Sequence, residues 1–243
     1  MLILAFETST DLASCALWHQ GVVHIEECPR TAGTDGQHSA TLLPATQQLL
    51  ADAGVTFQDL DAIAFGAGPG AFTGLRMACA IAQGIAVAHD KPVIPVTTLA
   101  AMAWQAGKLV GDSGKSISGL PIMALLDARM GEVYTGNFIL SEDGVTQVGE
   151  LVLRTPDELM AQPHIGVVCG NVFTEYPQLA THYSGDGNIL LPALFPRAIE
   201  IAELAVFAFQ RKEFVDSALA APLYVRDRVA KTIAERLAEG GKA

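Results

Sequence analysis

The sequence has no run of lysine or arginine, and its 26 acidic residues against 15 basic ones give a formal net charge of −11. A chain that grips a phosphate backbone unaided presents a basic face. Any nucleic-acid contact is therefore expected to be carried by another polypeptide. Cysteine is scarce and scattered: Cys15, Cys28, Cys79 and Cys169 form no C-x-x-C pair. That excludes a local zinc ribbon or thioredoxin-like pair and predicts buried free thiols in a reducing cytosol. The six histidines show neither H-x-x-x-H nor H-E-x-x-H, so no metal site is expected from them. Long hydrophobic runs are missing too. The most apolar helical stretch, Met77 to Ala88, is about twelve residues and holds Gln83 and Gly84, where a bilayer needs roughly twenty. Met1 to Phe6 is a short apolar run stopped by Glu7, without the basic start of a signal peptide. These absences predict a cytoplasmic protein with no membrane contact.

What is present is a folded composition: half of the 243 residues are apolar and 17% are charged, enough for one large domain or two small lobes. Leu2 to Phe6, bounded by Glu7-Thr8-Ser9-Thr10-Asp11, reads as a buried strand and a turn. Ala13 to Trp18 and Val22 to Cys28 follow around His19-Gln20-Gly21 and complete a three-stranded meander. A helical stripe of Leu42, Leu43, Thr46, Leu49, Leu50 and Ala53 ends at Gly54. Then come a strand (Ala62 to Phe65), a glycine-rich loop, a helix (Gly74 to His89) and a strand (Val93 to Val96). Gly107 to Gly119, rich in Gly, Ser and Lys, reads as a connection between lobes 1–106 and 107–243.

After that connection the order begins again. Strands Pro121 to Leu126, Glu132 to Leu140 and Val145 to Leu153 precede a helix opened by the capping box Thr155-Pro156-Asp157-Glu158. Ile165 to Cys169 is a further strand, and Gly170-Asn171 leads into another helical region. Strand-strand-strand-helix-strand-helix thus occurs twice without obvious residue identity. This predicts an α/β protein of two similar lobes, each a mixed β-sheet with packed helices. Ala198 to Lys212 is a last apolar helix, free to pack back on the first lobe. The tail after Asp227 reads as a fraying amphipathic turn or a disordered end.

The most informative segment is Gly66-Ala67-Gly68-Pro69-Gly70-Ala71-Phe72-Thr73-Gly74-Leu75-Arg76, which joins a buried strand to a helix. Backbone N–H groups there could meet an anion or a partner. A Walker A loop fails because Leu75-Arg76 stands where Lys-Ser or Lys-Thr is needed. A dinucleotide loop fails because Val96 is followed by Thr97-Thr98 and not by an acid. The plain alternative is a tight loop that uses glycine for positive φ. The helix that follows is apolar on two sides, with Leu75, Ala78, Ala82, Ile85 and Ala86 on one and Met77, Ala80, Ile81, Gly84 and Ala88 on the other. A sheet covers only one side, so a neighbouring helix of the lobe or a second polypeptide must cover the other.

Three further clusters invite chemistry. Glu7-Thr8-Ser9-Thr10 occupies the β-turn-β position that actin-like ATPases and sugar kinases use for phosphate, which makes Thr8, Ser9 and Thr10 the candidate nucleotide contacts. Glu7 stands where those folds want Asp, however, and no glycine follows, so independent ATP hydrolysis is not expected. Asp127, Arg129 and Glu132 read either as an acid/base pair or as a turn held by Arg–carboxylate bonds, the second being preferred. His38-Ser39 reads as a helix cap in preference to a base and nucleophile.

Taken in order, five segments resemble the TsaB (YeaZ) family. They are Ile3 to Thr10, His38-Ser39 with Leu42-Leu43-Pro44, Gly68 to Arg76, Leu126 to Arg129 with Glu132-Val133-Tyr134, and Pro222 to Arg226. Glu7 for the usual Asp and Ala71 for a common Ser are departures. The resemblance implies a duplicated actin-like (ASKHA) fold and a non-catalytic scaffold and activator subunit in forming threonylcarbamoyladenosine beside the tRNA anticodon. It implies pairing with a TsaD-type paralogue that holds the metal and catalytic site, a TsaE-type ATPase joining the assembly, and a homodimer when alone. tRNA would be met only through the complex. No cofactor of its own is implied, an adenine nucleotide at the partner interface being left open. The implied partner face comprises His38, Leu42, Leu43 and Leu49 of the first helix, and Met77, Ile81 and Ile85 of the second. The loop adds Gly68, Pro69, Gly70, Phe72, Thr73, Gly74 and Arg76. The rival readings are a stand-alone actin-like ATPase or kinase and a peptidase acting on a partner protein.

Overall fold

The first apolar run becomes a central strand because neither of its faces meets water. In the computed structural model, which describes residues 1–29, 38–162, 166–185 and 187–225, β1 (Leu2–Glu7) is buried along its whole length. β2 (Leu12–His19) and β3 (Val22–Pro29) continue from it antiparallel, while β4 (Ala62–Gly68) and β5 (Val93–Thr97) join its other side in parallel. The resulting order is β3-β2-β1-β4-β5.

The second sheet repeats this wiring. β6 (Pro121–Asp127), β7 (Val133–Ser141) and β8 (Gly144–Arg154) form the meander, and β9 (Val167–Gly170) and β10 (Ile189–Pro192) add in parallel, giving β8-β7-β6-β9-β10. The fold is a duplicated α/β actin-like one. β10, too short and too close to a proline to announce itself, was not expected from the sequence.

Alternating side chains of each sheet feed two cores. On one face of the first sheet, Leu4, Phe6, Leu17 and Phe65 pack under α1 (His38–Asp52) and α2 (Phe72–His89). On the other face, Ile3, Ala5, Ala64 and Ile94 meet α6 (Ala198–Gln210). α3 (Thr98–Asp112) buries Leu99, Met102, Ala106 and Val110 against the second sheet, whose far side carries α4 (Pro156–Met160) and α5 (Pro177–Tyr183). α6 follows the second sheet in the chain yet packs on the first. α3 and α6 therefore sit back to back between the sheets.

A largely buried ion network pins these two helices. Arg197 is bidentate to Glu200 at 2.6 and 3.1 Å, Lys108 Nζ lies 3.0 Å from the same carboxylate, and Trp104 Nε1 donates to Glu203 at 2.7 Å. The Thr155 capping box forms as the sequence predicts.

One expectation is corrected. Gly107 to Gly119 is not wholly a connection, because α3 runs unbroken through Gly107 and Gly111 to Asp112. A helical glycine costs about 1 kcal/mol against alanine, but a Cβ on Gly107 would press into the Leu140 side chain. These glycines mark close packing. The tail after Asp227 lies outside the described residues.

Candidate functional site

Glu7 ends β1, and its carboxyl turns into the protein. It is fully buried, Oε1 accepts from the Ser9 backbone N–H at 2.5 Å, and Oε2 fills the space a side chain on residue 66 would occupy. Burial pushes this carboxyl above the usual carboxylate range. The hydroxyls of Ser9 and Thr98 are near enough to temper the rise but stand off alignment. They and Glu7 Oε2 are buried without a hydrogen-bond partner among the described residues.

Three glycines at four-residue spacing make room for this turn. A Cβ on Gly66 would collide with the Glu7 carboxylate, one on Gly70 with Ser9, and one on Gly74 with the Thr8 carbonyl. Ala71 N–H donates to the Ser9 carbonyl at 2.8 Å, and Thr8 Oγ1 donates to the Gly74 carbonyl at 2.7 Å. Of the four loop glycines, only Gly68 has positive φ, at +120°. The plain reading of the loop is thus right in kind and corrected in cause: close approach bears on all four glycines, Gly68 meeting the Leu223 carbonyl, and positive φ applies to Gly68 alone.

The turn, the loop and the matching β6–β7 turn enclose a cleft of about 480 Å³ between the lobes. Ser9 and Thr10 line it, whereas Glu7 and Thr8 do not. Arg129, the cleft's one arginine or lysine, already reaches Asp11 across the gap and Asp127 beside it, both at 3.3 Å. Its backbone N–H also donates to Asp127 Oδ1 at 3.0 Å. Asp127, Arg129 and Glu132 therefore belong to a turn, with Ala128 N–H donating to the Glu132 carbonyl at 3.0 Å. With Asp11, Asp127 and Glu175 in its lining, the cleft carries more negative than positive groups. Among the described residues no group of three or more His, Cys, Asp or Glu is arranged to hold a metal ion.

The outer surface of the first lobe is different in character. Along α2 the exposed positions are Phe72, Thr73, Arg76, Ala80, Gly84, Val87 and Ala88, flanked by half-buried Met77, Ile81 and Ile85. Small residues at 80, 84 and 88 leave a groove, and a Cβ on Gly84 would meet nothing within 4 Å. On α1, Leu43 is exposed, and the helix carries no Asp, Glu, Lys or Arg before Asp52.

The expectation that Leu42 and Leu49 touch a partner is corrected: they are 0% and 4% exposed, pointing into the core beneath α1. Gly68 and Pro69 are likewise buried, behind the face, while Gly70 and Gly74 are half-buried above the turn. The side chains of His38 and Ser39 lie outside the described residues. Ser39, expected as a cap, falls within the range of α1.

The sequence reading missed that the chain itself covers one flank of α2. Beyond α6 the polypeptide stays on the first lobe, where Val215 pairs with Val93. Gln83 Nε2 donates to the Ser217 and Ala220 carbonyls at 3.0 and 3.1 Å, and Leu223 N–H donates to the Ala67 carbonyl at 2.7 Å. The only advance signal was the motif Pro222 to Arg226, which carries no hint of its destination.

With this geometry in place, likeness to known proteins becomes informative. A protein-family model described as TsaD, tRNA N6-adenosine threonylcarbamoyltransferase, matches residues 28–238. The chain is 35% identical to the Escherichia coli tRNA threonylcarbamoyladenosine biosynthesis protein TsaB over 95% of its own length and 96% of that protein. It is 31% identical to the Haemophilus influenzae protein of the same name, covering 94% and 95%. Among solved structures, YeaZ from Pseudomonas aeruginosa superposes with a TM-score of 0.77 at 33% identity, covering 92% of this chain and all of that one.

Proposed function

The chain belongs to the TsaB (YeaZ) family, with a role in tRNA threonylcarbamoyladenosine biosynthesis, and from that premise we propose that it acts as a non-catalytic scaffold. In this reading it activates the threonylcarbamoyl transferase complex by holding a TsaD-type paralogue, and with it a TsaE-type ATPase, against α1 and α2. tRNA is met through the complex.

The observation that carries the reading is the exposed stripe of α2. In a chain of net charge −11, its exposed residues include one charged group, Arg76, among Phe72, Thr73, Ala80, Gly84, Val87 and Ala88. Depletion of charge around apolar and small residues is the mark of an interface core. Small residues at 80, 84 and 88 let a second helix approach closely. The same face would serve a homodimer when the paralogue is absent.

The cleft supports the non-catalytic half of the proposal. Glu7 is buried under Gly66, and Arg129 is engaged by two carboxylates. Neither is placed to meet a nucleotide's phosphates, which disfavours a stand-alone ATPase or kinase. An adenine nucleotide, if the assembly uses one, would then be shared with the partner.

The test is reconstitution of tRNA modification with purified TsaD-type and TsaE-type proteins, with and without this chain. Modification should require the chain, and Ala80→Glu should abolish both complex formation and activity while the isolated chain stays folded. Full activity without the chain, or with Ala80→Glu, would sink the proposal.

A further inference from the structure

Resting on the reading of α2 as the partner face, we infer that Arg76 is a preset receptor for a carboxylate on the partner, held in position by the returning C-terminal segment. Its guanidinium lies over the Phe72 ring at 3.8 Å to the centroid, and its Nε donates to Tyr224 Oη at 3.0 Å. Tyr224 in turn leans on Phe72, ring centroids 5.5 Å apart. Two aromatic side chains, one from α2 and one lying 148 residues beyond Arg76, thus fix a long side chain that would otherwise sample many rotamers.

Among the described residues, Arg129, Arg197 and Arg211 each pair with a carboxylate, while Arg76 and Arg154 do not, and of these two Arg76 is the one on the partner face. It stands as the lone charge on the exposed stripe of α2. Tyr224 engages Nε alone, so the edge bearing the two terminal nitrogens remains to bind. A planar guanidinium held this way matches a carboxylate bidentately, and ordering it beforehand lowers the entropy lost on binding. The segment around it adds exposed apolar surface, Leu223 at 41% and Leu219 at 75%. The interface therefore extends beyond the two helices onto residues 217–224, and the complementary partner surface is a helix edge bearing an Asp or Glu within an apolar setting.

Tyr224→Phe, Arg76→Lys and Arg76→Glu should be compared with Ala80→Glu for binding to the TsaD-type protein by calorimetry, at low and moderate salt. Arg76→Glu should weaken association about 100-fold, and Arg76→Lys about 10-fold because it keeps the charge but loses the fork. Tyr224→Phe should cost several-fold while leaving the melting temperature of the isolated chain unchanged. Binding of the wild type and of Arg76→Lys should lose affinity on adding salt, and binding of Arg76→Glu should not. If Ala80→Glu disrupts the complex while folded Arg76→Glu and Tyr224→Phe bind as the wild type does, the carboxylate receptor is refuted and the helical face survives. If Ala80→Glu also binds normally, the face itself is wrong.

Discussion

Gly84 gives the sharpest separation of fold from function, because the free chain and the proposed partner contact make opposite demands on it. It lies within α2 (Phe72–His89), and a Cβ added there meets no atom within 4 Å. Its φ is not positive, so alanine adopts the same backbone without strain. Alanine exceeds glycine in helix propensity by about 1 kcal/mol and also restricts the unfolded chain. Gly84→Ala should thus stabilise the isolated chain by about 0.5–1 kcal/mol, a rise of about 2–4 °C in Tm at most for a chain of this size. Gly84→Gln keeps most of that propensity while placing a long side chain in the groove between Ala80 and Ala88. The isolated variant should be at least as stable as the wild type, yet bind the TsaD-type protein about 5- to 150-fold more weakly, as overpacking of a close helix contact costs about 1–3 kcal/mol. Thermal unfolding of dilute monomer and calorimetric titration measure the two effects independently. A lower Tm for Gly84→Ala would refute the claim of open space. Undiminished binding of a stable Gly84→Gln would refute the claim that a helix seats there.

Other positions test the architecture. Gly74→Ala should destabilise the chain by about 2–3 kcal/mol, since its Cβ would collide with the Thr8 carbonyl and backbone must shift; a urea unfolding midpoint within error of the wild type would contradict this. Glu7→Gln probes the buried carboxyl. Its folded proton affinity is raised above the ordinary value of 4.5, so its contribution is whole below that pH and is lost as pH climbs through the higher folded value. Glu7→Gln should therefore gain on the wild type as pH rises above 4.5, until the folded carboxyl has ionised, each tenfold displacement of the proton equilibrium being worth about 1.4 kcal/mol. A pH-independent difference between the two urea midpoints would rule out a raised proton affinity for Glu7. Glu200→Ala should cost about 3 kcal/mol by chemical denaturation, because it strips Arg197 of its carboxylate between α3 and α6 and leaves Lys108 with Glu203 alone. That sits at the low end for a buried pair, as both cations are about a third exposed.

Much of the fold could be read from local pattern. Leu2 to Phe6 declares a buried strand by being apolar without interruption, Thr155-Pro156-Asp157-Glu158 declares a helix start by its capping chemistry, and the repeated order of elements declares two similar sheets. The apolar surplus of α2 is also plain from residues 75–88, because periodicity alone shows more greasy faces than one sheet can hide. Packing partners were not readable. Gly107 looks like a hinge until Leu140 is found against it, and Leu42 looks like surface until the sheet beneath α1 is seen. Glu7 could be identified as a departure, but the direction of its carboxyl depends on Gly66, some sixty residues away. The clamp on Arg76 depends on Tyr224, which arrives only after the chain has built the second lobe and come back. Local sequence records which residues avoid water and which backbone angles they prefer. Which neighbour supplies the cover is settled by contacts between distant segments, and these exist only once both sheets, and the helices exchanged between them, have closed on each other.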